Sequence, residues 1–192
     1  MKPTILAFLA LFSISALGAQ VKPPQGVAPQ PNQTDSALTA ETRRVFLTIS
    51  ANLLKATREM PENSYSFKPT SDVRTFGELI AHIANVQMTL CHNINGGASK
   101  NRDQQASKDN LIKNLEASAG ECGRAFSELS AENANKMVQT PAGQVTHLAA
   151  LVYIITHASE EYGQMSIYLR LNHLTPPTTD EPSGGGAGKA KS

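Results

Sequence analysis

The chain reads as an all-α protein, a four-helix bundle. Two observations predict this class. Four segments place apolar residues at alternating spacings of three and four, and no segment shows a convincing two-residue alternation of apolar and polar side chains. Amphipathic helices without a sheet must bury their apolar stripes against one another, and the compact solution is a bundle. At 192 residues, 40% hydrophobic and 17% charged, the chain suits one domain with a modest core.

The first helix is expected from about Ala37 to Met60, with Phe46, Ile49, Leu53, Ala56 and Met60 on one face and Pro61 as its stop. The second begins at Thr75, where Thr75-Phe76-Gly77-Glu78 matches a capping box. It should bury Phe76, Leu79, Ile80, Ile83 and Leu90 and end near Asn95-Gly96-Gly97. The third, Ser107 to Ser130, carries Leu111, Leu115, Cys122, Phe126 and Leu129 on its face. The fourth spans Gln144 to Asn172, with a buried stripe of Leu148, Leu151, Ile155, Ala158, Tyr162, Met165 and Leu169. Along one flank of that stripe run His157, Glu161, Gln164 and Tyr168.

Outside the helices, residues 1–19 read as a secretory signal peptide: Met1-Lys2, the apolar run Ile5 to Leu17, and the small pair Gly18-Ala19 beside which cleavage is expected. The run is shorter than the ~20 residues that span a bilayer, so no membrane span is expected after its removal. The processed protein is expected to be secreted or periplasmic. Residues 20–35, rich in Pro and Gln, are expected to form a disordered linker, and residues 178–192, with Gly184-Gly185-Gly186, a disordered tail. The domain is then 36–177. A formal net charge of +1 gives a nucleic-acid partner no electrostatic support.

Export implies an oxidising compartment, in which Cys91 and Cys122 are expected to pair. A disulfide needs α-carbons within about 7 Å. In an antiparallel pair of helices two and three, Cys122 would stand about 16 Å along the axis from the level of Cys91. In a parallel pair the two cysteines lie at nearly equal heights, and the dozen residues from Asn95 to Ala106 reach about 40 Å, enough for the return crossing. The expected order is therefore up, down, down, up with a long crossover between helices two and three.

Two stretches carry a family resemblance. His157-Ala-Ser-Glu-Glu161-Tyr162-Gly163-Gln164, continuing through Tyr168-Leu169-Arg170-Leu171-Asn172 to Pro176-Pro177, resembles the last helix of the DinB-like family of metal-binding four-helix bundles. Pro61-Glu62-Asn63-Ser64-Tyr65-Ser66-Phe67-Lys68-Pro69-Thr70, followed by Val73-Arg74-Thr75-Phe76-Gly77-Glu78-Leu79-Ile80-Ala81-His82, resembles the lead into that family's second helix. A looser likeness extends from about Leu38 to Pro177. The resemblance implies the same helix order, a homodimer, and three histidine ligands at positions 82, 157 and 161. This chain has His82 and His157 but Glu161. A carboxylate still ligates, so the metal candidates are His82, His157 and Glu161 for Zn, Ni, Mn or Fe.

Other polar residues are weaker candidates. His92 follows Cys91 at a helix end and suits a dipole-capping role. His147 stands ten residues from His157, about 15 Å along a helix and outside one coordination sphere. His173 falls in the closing turn, and Tyr65, Phe67 and Tyr162 read as packing residues. No phosphate loop, nucleophile elbow or Cys-x-x-Cys pair is present. Two functions fit: an exported metal-dependent hydrolase or transferase, or a non-catalytic, disulfide-stapled binding or dimerisation module whose metal site has decayed. The resemblance allows thiol transfer, but the thiol cosubstrates of that chemistry are cytosolic, which favours hydrolysis for an exported chain.

Overall fold

Two of the long helices, those that begin after Thr75 and Thr146, start at side-chain caps that the sequence supplies. The computed structural model describes residues 31–97, 107–141 and 143–180, so the expectations for residues 1–30, for 98–106 in the crossover and for 181–192 lie outside the described residues. The elements in chain order are α1 (Pro31–Glu59), a single 3-10 turn (Glu62–Ser64), α2 (Phe76–Ile94), α3 (Lys108–Ser127), β1 (Met137–Thr140), β2 (Gly143–Thr146), α4 (His147–Leu171) and the short α5 (Pro177–Asp180). The protein is mostly helical. Among the described residues no helix is long and apolar enough to cross a membrane.

The capping box at α2 is formed in full: Glu78 N donates to the Thr75 hydroxyl at 3.2 Å, and Thr75 N donates to Glu78 Oε2 at 2.8 Å. Gly96, at φ 81°, lies just beyond the end of α2 in the left-handed region that glycine enters without a Cβ penalty. The α1 helix starts at Pro31, inside the stretch expected to be linker, and α5 occupies the first residues of the expected tail.

The expectation of no strand is corrected. β1 and β2 pair antiparallel in the register Met137↔Thr146 to Thr140↔Gly143. Each strand has four residues, too few for alternation to stand out, and the pair is closed locally by the Thr140 hydroxyl donating to Gly143 O at 2.7 Å. The hairpin takes Gln144 to Thr146 out of the fourth helix, which starts instead at His147, with the Thr146 hydroxyl accepting from Ala149 N at 3.2 Å.

Both α1 and α2 pack against α3 and α4. The contacts advance together along α2 and α3, from Gln87–Ser118 to Cys91–Cys122, the latter a disulfide with its α-carbons 4.9 Å apart. Along α2 and α4 they run oppositely, from Arg74–Tyr168 to His82–His157. The core has two parts. One gathers Leu53, Met60, Phe76, Leu79, Ile80, Ile83, Leu115, Ala158, Met165 and Leu169. The other surrounds the disulfide with Phe46, Leu90, Phe126, Leu151 and Ile154, Phe46 stacking on Phe126 at 4.5 Å between ring centres. Every core residue expected on α2 and α3 is buried. On α4, Leu148 and Ile155 are only half-buried, and Ala150 and Ile154 take their place in the interior.

Candidate metal centre

On α4, Ile154 belongs to the disulfide-side core and Ala158 to the other, so His157 emerges at the seam between them. Glu161 follows one turn later on the same side. The α2 capping box fixes the register from which His82 emerges toward α4. At the far end of the groove, the Tyr168 hydroxyl donates to Arg74 O at 2.6 Å and ties α4 to the start of α2.

These constraints bring three side chains to one point. His82 Nε2 lies 3.1 Å from His157 Nε2, while Glu161 Oε1 lies 3.5 Å from the former and 3.4 Å from the latter. His157 and Glu161 are buried and His82 is partly exposed, so the cluster is reached from solvent on the His82 side. Gln164 Nε2 donates to Glu161 Oε2 at 3.0 Å, which turns the other carboxylate oxygen toward the imidazoles.

Burial sets the protonation of the cluster. It pushes His82 down to about 4, with the positive charge of Arg74 and then His157 adding to the effect. Burial also lowers His157, opposed by the Glu160 carboxylate and assisted by Arg74. It raises Glu161, against the pull of Arg74 and with the help of Glu160. Both rings are therefore neutral near pH 7 and offer lone pairs.

The donor set fits a divalent cation. Ligands about 2.1 Å from a tetrahedral ion stand roughly 3.4 Å apart, which is the spacing of these three atoms. Three protein ligands leave positions open, the pattern of catalytic rather than structural sites. Among the described residues His157 Nδ1 is buried without a hydrogen-bond partner, where a ligating histidine usually donates to an acceptor. The Tyr153 ring stacks on His157 instead, with centroids 5.7 Å apart and planes at 29°.

The remaining histidines lie elsewhere. His92 Nδ1 contacts Glu121 Oε1 at 3.2 Å, so beyond its place in the last turn of α2 it helps bury a carboxylate that Asn95 and Arg124 also hold. His147 is buried at the first position of α4, and His173 sits in the closing turn at φ 61°. Tyr65 and Tyr162 pack in the core, their hydroxyls bonded to Thr57 O and Thr178. Tyr153 and Arg74 adjoin the centre, and neither is among its expected residues. The available signal for Tyr153 was its place one turn before His157.

The sequence profile of the DinB superfamily matches residues 46–165. Among solved structures, a DinB-like protein from Bacillus cereus is similar at 16% identity and a TM-score of 0.58, covering 69% of this chain and 93% of its own. A DinB-like protein from Bacillus subtilis is similar at 20% identity and a TM-score of 0.57, covering 70% and 93%. A mycothiol-dependent maleylpyruvate isomerase is similar at 17% identity and a TM-score of 0.53, covering 69% of this chain and 66% of its own. A search of curated proteins gives no match.

Proposed function

This chain belongs to the DinB superfamily, and from that premise we propose that it is an exported metal-dependent enzyme, a hydrolase in preference to a transferase. The convergence of His82 Nε2, His157 Nε2 and Glu161 Oε1 within 3.1–3.5 Å of one another carries the reading. A bound Zn, Ni, Mn or Fe ion would supply Lewis acidity, polarising a carbonyl and making water acidic near neutral pH.

The protein's own groups do the rest. His82 and His157 would hold the ion as neutral donors. Glu161 would contribute one negative charge to it, and Gln164 fixes the second carboxylate oxygen. Arg74 places a cation close enough to lower His82 and Glu161, a charge that also favours an anion developing on substrate. Helix packing leaves the partly exposed side of His82 for substrate to approach.

The bundle in this reading runs up, down, down, up, a view supported by the matched advance of α2–α3 contacts and the opposed run of α2–α4 contacts. Export is supported by the joined cysteines, since such bonds persist in oxidising compartments. A homodimer through the outer side of α4 is part of the proposal, because Val152, Ile167 and Leu171 are about half exposed there. The mycothiol-dependent isomerase of like fold keeps thiol-linked chemistry as a second reading.

The test is elemental analysis of protein purified without a polyhistidine tag or added metal. About one equivalent of a transition metal per chain, lost in His82→Ala and His157→Ala variants that remain folded, is the expected result. Metal-free protein that also fails to take up Zn, Ni, Mn or Fe on titration would end the proposal.

A further inference from the structure

A cavity of about 460 Å³ opens in the same α2–α4 groove, roofed by the β1–β2 hairpin. Val86 and Leu90 of α2, Ala150 and Tyr153 of α4, and Pro141 and Val145 of the hairpin form much of its wall. Val86 lies one turn beyond His82 on α2 and Tyr153 one turn before His157 on α4, so the cavity begins about 6 Å along the groove from the candidate ligands. Its volume falls within the roughly 300–1,000 Å³ of small-molecule sites.

The chemistry of the wall selects the occupant. Among the described residues that line it none carries a charge, and their polar groups are confined to the amide of Asn85 and a few hydroxyls. An ionic ligand would lose its hydration here without gaining a countercharge. Tyr153 joins cavity and centre physically, since its ring lines the one and stacks on His157 of the other. That residue is 52% exposed, leaving an aromatic surface at the mouth that an apolar ligand would cover.

We infer that the hairpin-roofed cavity receives the uncharged alkyl or aryl part of the substrate, seated against Tyr153 so that the polar reactive group reaches His82, His157 and Glu161. The inference rests on the metal-centre reading and adds the substrate class: a neutral molecule with a hydrophobic tail and a metal-seeking head.

A homologous series of n-alkyl hydroxamates, from acetohydroxamate to octanohydroxamate, titrated into Zn-loaded protein separates the two ideas. The head group reports the metal and the tail reports the cavity. Affinity should rise roughly fourfold per added methylene until the cavity is filled. Ala149→Trp, at an exposed position on the cavity wall, should flatten that rise while Zn content and acetohydroxamate affinity stay unchanged. Val145→Trp on the hairpin serves as the second blocking variant. If acetohydroxamate binds but longer chains bind no better, or if both blocked variants keep the full rise, the cavity inference is overturned and the metal reading stands. A rise confined to the monomer fraction would assign the cavity to a second copy and likewise overturn it. If neither Zn nor acetohydroxamate is bound, the metal reading fails and takes the inference with it.

Discussion

His82 and His157 meet through their Nε2 atoms at 3.1 Å across the α2–α4 groove. Without an ion, one ring must donate an Nε2–H and the other accept it. Glu161 Oε1, in reach of both rings, then adds its lone pairs to that of the accepting ring in a small volume. Neutral imidazoles crowded on a buried carboxylate are poorly compensated unless a proton or a cation sits among them. The geometry is thus easier to explain as a ligand set than as a structural hydrogen bond.

Exchange of the odd ligand tests this directly. Glu161→His restores an imidazole one turn from His157 and should tighten Zn and Ni binding, because those ions favour nitrogen over a hard carboxylate oxygen. His82→Ala should weaken binding severely in either background. Calorimetry that finds no affinity in the parent and none in Glu161→His would remove the ligand assignment.

Gln164 supplies a second measurement. Its amide donates to Glu161 Oε2, and loss of such a supporting bond commonly lowers metal affinity about 10–100-fold. Gln164→Ala should show a loss of that order by competition with a chromogenic chelator, with no change in melting temperature of the metal-free protein beyond a degree or so. An affinity equal to the parent's would mean that Glu161 is not a ligand through Oε1.

The disulfide joins residues separated by 31 positions, which by the chain-entropy relation contributes about 3–4 kcal/mol. Because both cysteines are fully buried, Cys91→Ala/Cys122→Ala adds the cost of a small void. The double variant should therefore melt on the order of 10 °C lower in a scan under oxidising conditions. A shift under about 2 °C would show that the crosslink does little to restrain the unfolded chain.

The legible parts of this molecule were those governed by helical period. Phe76, Leu79, Ile80 and Ile83 repeat at three and four and are buried as a face, and the i, i+4 step from His157 to Glu161 survives folding unchanged. The hairpin was illegible, because four-residue strands carry too few alternations and Val145-Thr146 extends a helical pattern equally well. The hairpin also moves the start of α4: it claims the turn before His147, and the interior takes Ala150 and Ile154 in preference to Leu148 and Ile155. The cavity beside the site could not be foreseen for the same reason, since its roof is the hairpin. The orientation of Glu161 depends on Gln164, a contact that spacing allows but does not require.

His147 gives a pH prediction independent of the metal cluster. Burial lowers its ionisation below the ordinary value, outweighing the opposing pull of the Asn133 and Ala125 carbonyls and the Glu128 carboxylate, while Lys136 adds slightly to the lowering. Among the described residues its buried Nε2 has no hydrogen-bond partner, so little offsets the loss of hydration that a charged ring would suffer there. The folded state therefore prefers the neutral ring. As pH falls through about 6.5, the unfolded chain takes up a proton first and is stabilised relative to the fold. Stability from the neutral ring is fully present above that value and is lost progressively below it, until the lowered folded pKa is passed. His147→Gln cannot titrate, so the fall in melting temperature between pH 7.5 and 5, measured in chelator to keep both proteins metal-free, should be smaller in the variant than in the parent. The contribution of His82 and His157 is common to both proteins and drops out of the comparison. Parallel curves for the two would show that His147 is as readily protonated in the fold as in the unfolded chain.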